Sequence, residues 1–499
     1  MASVVEETRK ALLEDGLKLT RSLIGAETSN RPDATVFDRM DVMTGDVATR
    51  VEGADKNDAR RACDVAAAAF PAWAALGPNA RRLLLLKAAD EMAARSEDFV
   101  ATMMAEIGAT RAWAGFNVHL AVGMLREAAA LTTQVRGETM PSDRAGCFAM
   151  SVRKPVGVVL GIAPWNGPLI LGTRAVAAPL ACGNTVILKG SEVSPGTHAM
   201  IGEVFRDAGF PEGVVNVVLN APADAAEVVA EMIAHPSVRR INFTGSTHTG
   251  RIIARLCAEQ LKPVVLELGG KAPLIVFDDA DLDEAAAAAA FGAFMNSGQI
   301  CMSTERLIVH EAVAEAFAAK LQAKAQSLKA ADPRSGAAPL GPLIDPKAAE
   351  SVAALVADAV AKGAKLHGDN AHDRAIMSAG FVSGVTPEMR LYHEESFGPV
   401  TAMMTFTDEA EAVRIANDTE FGLTAAVFTQ NISRGLRVAD QLDTGMCHVN
   451  GPTVHDEAHM PFGGVKSSGY GRFGGAAGIA EFTELRWITV DTGHVHYPI

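Results

Sequence analysis

Three polar residues stand in settings where their side chains can do chemistry. Cys301 lies in Asn296-Ser-Gly-Gln-Ile-Cys-Met-Ser303, a polar, glycine-containing turn directly after an alanine-rich helical stretch. A cysteine inside an apolar face is a small buried hydrophobe, which suits Cys63, Cys182 and Cys257. Cys301, flanked by Ser297, Gly298, Gln299 and Ser303, reads equally well as a nucleophile beside a site. Glu267 ends the apolar run Val264-Val-Leu-Glu-Leu-Gly-Gly-Lys271. It is either salt-bridged to Lys271 or a partly desolvated carboxylate of raised pKa, suited to general-base work. Asn166, in Gly161-Ile-Ala-Pro-Trp-Asn-Gly167, either caps the helix that follows or donates its amide N–H to an oxyanion.

A further group has the texture of a phosphate and ribose site. No GxGxxG closes a strand, so the usual dinucleotide fingerprint is missing. Instead Phe243-Thr-Gly-Ser-Thr-His-Thr-Gly250 follows a strand and opens a helix, with Gly245 permitting the turn and Ser246 facing a phosphate. Lys189 and Glu192 follow another strand, either to read a ribose or as a surface ion pair.

These residues need a scaffold of parallel strands. From residue 158 onward, β-branched runs (158–162, 185–189, 214–219, 240–243, 264–266) alternate with helical stretches of 12 to 15 residues, the rhythm of βαβ units. A second alternation follows residue 270, with strands expected at 274–277, 423–429 and 446–450 and helices at 281–294, 312–329, 408–418 and 432–442. Before residue 150 the pattern is helical, at 58–75 and 79–106. The expectation is an α/β chain of two doubly wound, Rossmann-like domains. Segments 139–154 and 482–490 are strand-like but belong to neither rhythm, so they are expected to pair with each other or with another subunit.

Composition narrows the classes. The 499 residues carry 45 basic and 59 acidic side chains, a net −14, which argues against a nucleic-acid binder. Six scattered cysteines form neither a disulfide framework nor a CxxC metal set, pointing to the reducing cytoplasm and to no metal. The opening MASVVEETRKALLEDG has no apolar signal core, and the longest apolar run, 285–293, is far short of a membrane span.

Taken in order, seven segments resemble the aldehyde dehydrogenase superfamily: PWN (164–166), ILKGSE (187–192), FTGSTHTG (243–250), LELGGK (266–271), GQICMS (298–303), EESFGPV (394–400) and PFGGVKSSGYGR (461–472). The 34-residue spacing between Glu267 and Cys301 suits the family too. The resemblance implies the aldehyde dehydrogenase fold, with an NAD-binding domain over 1–138 and 155–268. A catalytic domain would span 269–474, with an oligomerisation ribbon and tail over 139–154 and 475–499. It makes Cys301 the nucleophile, Asn166 and the Cys301 backbone N–H the oxyanion donors, and Glu267 the base that hydrolyses the thioester. Around NAD it places Ile162, Trp165, Lys189, Glu192, Gly245, Ser246, Leu268, Glu395 and Phe397. Glu192, by repelling a 2′-phosphate, would favour NAD over NADP. Two departures are visible: Asn220-Ala-Pro-Ala-Asp224 stands where the family often has a glycine-rich turn, and Gly190 where it more usually has proline.

For the substrate, the runs WAGFNVH, REAAALTTQVRGETMPSD and CMSTERL are similar to the aromatic-aldehyde branch, which acts on salicylaldehyde, vanillin and benzaldehyde. Trp113, Arg174 and Met302 are the expected pocket residues. Arg174 would donate to a ring substituent or a carboxylate, or else pair with an acidic neighbour at a subunit contact. The alternative substrates are an aliphatic aldehyde, betaine aldehyde or a semialdehyde. A CoA-acylating enzyme would generally lack Glu267. The partners implied are a small aldehyde and further copies of the chain, as a homodimer or homotetramer, without nucleic acid or membrane.

Overall fold

The computed structural model describes residues 18–28, 31, 34–336, 338–369, 371–495 and 497–499. The reading of residues 1–16 as lacking a signal core lies outside the described residues. Two twisted sheets carry the strands that position the site. The first has eight strands in the order Gly469–Tyr470, Val264–Glu267, Val238–Thr244, Val158–Ile162, Thr185–Lys189, Val215–Val218, Leu23–Ile24 and Glu27–Thr28. Its five central strands run parallel, and the short edge strands antiparallel. Apart from Arg239, all five are buried on both faces, because helices cover them on either side, which is why they read as largely apolar runs.

The second sheet has seven strands: Lys365–His367, Gly380–Ser383, Val400–Phe406, Thr304–His310, Ala272–Val276, Thr424–Phe428 and Met446–Val449. Six of them are parallel, and only Lys365–His367 is antiparallel to its neighbour. Gly469–Tyr470, which the sequence reading grouped with this second half, pairs instead beside Glu267 at the edge of the first sheet.

The stretch 79–106, expected as one helix, is two: Pro78–Ala94 and Ser96–Ile107. Arg95 leaves helical geometry (φ −96°, ψ 19°), and Glu97 and Asp98 in the first turn suit a new helix N-terminus. The Arg95 side chain is drawn out to Glu203 at 3.3 Å and to Asp207. The break is thus a tertiary effect.

Thr483–Asp491 pairs antiparallel with Cys147–Pro155 over nine residues, and Glu138–Met140 adds a third strand. The two ribbon segments therefore do find each other. One face leaves Leu485 and Trp487 exposed, and the other leaves Phe148 and Val490 exposed. Among the described residues no helix is long and apolar enough to cross a membrane.

Candidate active site

The carboxyl ends of the parallel strands converge on one region. Register places Ile162 beside Lys189 and Phe243, and Thr244 beside Glu267. In such sheets ligands bind outside these strand ends. The backbone beyond Glu267 turns sharply, and a Cβ on Gly270 would stand 2.3 Å from the Cys301 carbonyl oxygen. Only glycine allows this approach, which brings the Glu267 loop against the Cys301 loop.

The loop before Cys301 is held in an unfavourable shape. Asn296 (φ 50°) and Ser297 (φ 55°) are both left-handed without being glycine, at a cost of about 1–3 kcal/mol each. Its polar residues fix it there. Ser297 Oγ donates to Gly341 O at 2.7 Å, and Ser303 Oγ to Gly298 O at 3.0 Å. Gln299 Nε2 donates to Asn296 O at 3.1 Å, while its Oε1 accepts from Ile344 N at 2.9 Å. These flanks, read from sequence as the border of a site, are buried tethers of the turn that carries the thiol.

Asn166 does not cap the following helix: Pro168–Ala181 has Gly167 at its N-cap and no side-chain cap bond. Its carbonyl accepts from Trp113 Nε1 at 2.9 Å and Asn296 Nδ2 at 3.2 Å, and its Nδ2 donates to Gln299 O at 3.0 Å. The side chain is therefore held beside Cys301, with a second amide hydrogen left to donate.

Glu267 is 1 % exposed, and its suggested Lys271 partner is engaged elsewhere: Lys271 Nζ donates to Glu305 Oε2 at 2.7 Å, buried. Neither Glu267 oxygen has a conventional hydrogen-bond partner among the described residues. Burial pushes its carboxyl up to about 7, while the proton of the Cys301 thiol pulls the other way. Burial, then the Glu267 charge, hold the Cys301 thiol well above its ordinary value. The pair is thus a protonated thiol facing a carboxyl that titrates near neutrality, the arrangement of a nucleophile with its base.

A cavity of about 260 Å³ opens in front of the thiol. Cys301, Asn166, Trp113, Arg174 and Met302 all line it, so the sequence-derived pocket residues do meet. Trp113 and Phe116 stack at 5.6 Å and 26°, forming a flat wall with Ile170, Leu171 and Phe291. Sequence reasoning missed the opposite wall, Val454 to Glu457. There Asp456 forms an ion pair with Arg174 within one chain.

The expected cofactor residues lie outside that cavity. Trp165 and Phe397 meet edge to face at 5.8 Å, with Phe397 left-handed (φ 48°) and its N–H donating to Glu305 Oε1 at 3.2 Å. Glu395 Oε1 accepts from Gly270 N at 2.9 Å, and burial pushes its carboxyl up to about 8. Lys189 and Glu192 form an ion pair, with Lys189 buried, and Asn220 Nδ2 donates to Glu192 at 2.8 Å. Ser246 is exposed and caps Thr247–Glu259, its Oγ accepting from Thr249 N at 3.2 Å. Gly245 precedes it, and Leu268 is buried against Gly250. A dinucleotide fits this set: a helix N-terminus with free N–H groups for the pyrophosphate and, two strands away, a carboxylate for the ribose.

The aldehyde dehydrogenase family profile matches residues 29–488. The chain is 56% identical over 477 residues to a vanillin dehydrogenase of Pseudomonas fluorescens, covering 96% of this chain and 99% of that one. The crystal structure of a salicylaldehyde dehydrogenase from Pseudomonas putida G7 complexed with salicylaldehyde superposes with a TM-score of 0.94 at 45% identity, covering 96% of this chain and 100% of that one. Betaine aldehyde dehydrogenase from Staphylococcus aureus in complex with NAD+ gives 0.90 at 29% identity, covering 96% and 95%. With a matched profile over nearly the whole chain, a thiol and an amide lining one cavity and a buried carboxyl against that thiol, this chain belongs to the aldehyde dehydrogenase family.

Proposed function

We propose that the protein oxidises an aromatic aldehyde to its carboxylic acid, with NAD as hydride acceptor. One observation carries the reading: the Cys301 thiol lies between an apolar, aromatic-walled cavity and the buried Glu267 carboxyl. The relatives named above, acting on vanillin and salicylaldehyde, support an aryl ring in that cavity.

Glu267 takes the thiol proton as Cys301 sulfur adds to the aldehyde carbon, forming a thiohemiacetal. The Asn166 amide and the Cys301 backbone N–H hold the resulting oxyanion. NAD, when bound, supplies the acceptor for the hydride, the one leaving group that carbon has. What remains on Cys301 is a thioester. Glu267 gives up the thiol's proton to solvent. The carboxylate then takes a proton from water as the water attacks the acyl carbon and passes it to the departing Cys301 sulfur, so that the carboxylic acid leaves with the thiol restored.

Lys189, Glu192 and Ser246 hold the adenosine end and pyrophosphate of the cofactor, with Ile162, Gly245 and Leu268 shaping the groove. Trp165, Glu395 and Phe397 hold the nicotinamide end. Glu192, fixed by Lys189 and Asn220, leaves a 2′-phosphate facing a carboxylate, so NAD is preferred to NADP. The cofactor domain comprises residues 1–138 and 155–268, the catalytic domain 269–474, and the ribbon and tail 139–154 and 475–499. With all six cysteines free, the protein works in the cytoplasm.

A screen of benzaldehyde and its hydroxy and methoxy derivatives against alkanals, betaine aldehyde and succinate semialdehyde, with NAD and NADP in parallel, tests this. Higher kcat/KM for the benzaldehydes, by at least about tenfold with NAD, is expected, since one methylene of apolar fit alone brings about 10–200-fold. Equal or better rates on alkanals would contradict it. The exposed ribbon face joins subunits into a dimer or tetramer. Trp487→Glu, placing a charge on that face, is expected to lower the sedimenting mass, and an unchanged mass would place the interface elsewhere.

A further inference from the structure

One charged feature of the cavity is not used by the chemistry above. Arg174 Nη2 donates to Asp456 Oδ2, and the two side chains are only 6% and 7% exposed. The guanidinium also lies over the Phe462 ring, 4.2 Å from its centroid. Both residues line the cavity with Cys301, among mostly apolar neighbours. Among the described residues, Asp456 Oδ1 has no donor, and Nη2 is the only Arg174 nitrogen with an acceptor.

A buried ion pair is costly to desolvate, and a wall of Ile170, Leu171 and Phe291 needs no ions to be solid. An arginine alone in such a wall would be an anion site, because its planar fork matches a carboxylate. Here that fork already faces a carboxylate from the chain itself. His455 and Glu457, the other ionisable residues of this wall, pair with each other at 2.9 Å. Both of these are exposed, so the buried part of the wall holds one cation and one anion, Arg174 and Asp456, and no net charge, while Arg174 keeps N–H groups for a neutral oxygen.

We propose that Asp456 is a specificity-determining residue: by pairing with Arg174 it cancels the charge of the cavity wall, so that aldehydes bearing a carboxylate are refused and neutral aryl aldehydes enter. This rests on the aryl-aldehyde reading above. An anionic ring substituent meets Asp456 as a like charge and finds the Arg174 charge already cancelled, whereas a hydroxyl or methoxy oxygen can still accept from the guanidinium without that repulsion.

The test compares 3- and 4-carboxybenzaldehyde with the 3- and 4-formylbenzamides, which are neutral and of nearly the same shape. The wild type is expected to favour the amides in kcat/KM by at least about tenfold, the scale of one charged hydrogen bond. In Asp456→Asn the carboxylate-to-amide ratio is expected to rise at least about tenfold, through KM, because Arg174 is released. Arg174→Met with Asp456→Leu, which removes both charges, is expected to show no such rise. A pair that merely staples the helix to the 454–457 segment would lower both substrates together and leave the ratio where it was. Equal wild-type rates on acids and amides would overturn the proposal even if Asp456→Asn did not fold. So would an unchanged ratio in a folded Asp456→Asn that still oxidises benzaldehyde, and that result would leave the aryl reading standing. A wild type that ignores benzaldehyde altogether would overturn both.

Discussion

Replacing Cys301 with serine is expected to lower aldehyde-dependent NADH formation by at least about a thousandfold, as the loss of a covalent nucleophile does elsewhere. The reason lies in the acidity of the attacking atom. Even raised by burial and by the Glu267 charge, a thiol gives up its proton to a neighbouring carboxylate far more readily than a hydroxyl does. Serine also leaves an ester in place of a thioester, and esters resist hydrolysis more strongly. The substitution keeps volume and shape, so the loop tethered by Ser297, Gln299 and Ser303 is expected to stay as it is. Circular dichroism and NAD titration of the variant check that the loss is chemical. A variant that turns over within tenfold of the wild type would remove Cys301 from the mechanism.

Glu267→Gln carries the second large effect. A general base contributes about 10²–10⁴-fold, and Glu267 is the buried carboxyl facing the thiol. The amide cannot accept a proton, so the steady-state rate is expected to fall by that factor. The pH profile gives an independent reading. The working base is the carboxylate, so the wild-type rate rises with pH through about 7 and levels off above it. Acylation of Cys301 removes the thiol proton that now pulls the Glu267 value down, which moves this limb upward rather than downward. In Glu267→Gln the limb disappears. A profile that keeps its rise near neutrality in the variant would assign the titration to another group, with Glu395, raised to about 8, the next to test.

The chemistry was legible in sequence because each of its residues is polar in a place where the fold is not. Glu267 ends an apolar strand, Asn166 follows a strand at a helix start, and Cys301 follows the helix Leu282–Phe294 in a polar turn. Strand starts near 158, 185, 215, 238 and 264 follow from hydrophobic rhythm, because strands buried on both faces leave little room for other residues. Partnerships were less legible. Lys271 was a natural mate for Glu267 at four residues' distance, yet it reaches Glu305, which Ser396 and Phe397 also hold. Asn166 had the composition of a cap, but one hydrogen of its amide donates to the Gln299 carbonyl across the site and the other is left for the substrate. Asp456 left no local signal, since its meaning comes from Arg174, 282 residues away in the chain. The break at Arg95 has the same origin, in acidic groups on a different helix.

One sulfur carries the acyl group and one buried carboxyl releases it. Mixing Glu267→Gln with excess NAD and benzaldehyde in a stopped-flow instrument, then quenching for mass spectrometry, tests both halves together. A burst of close to one NADH per active site followed by near-arrest is expected, with a benzoyl group on the peptide containing Cys301. A linear trace without a burst, or a burst with the acyl group absent from Cys301, would contradict it.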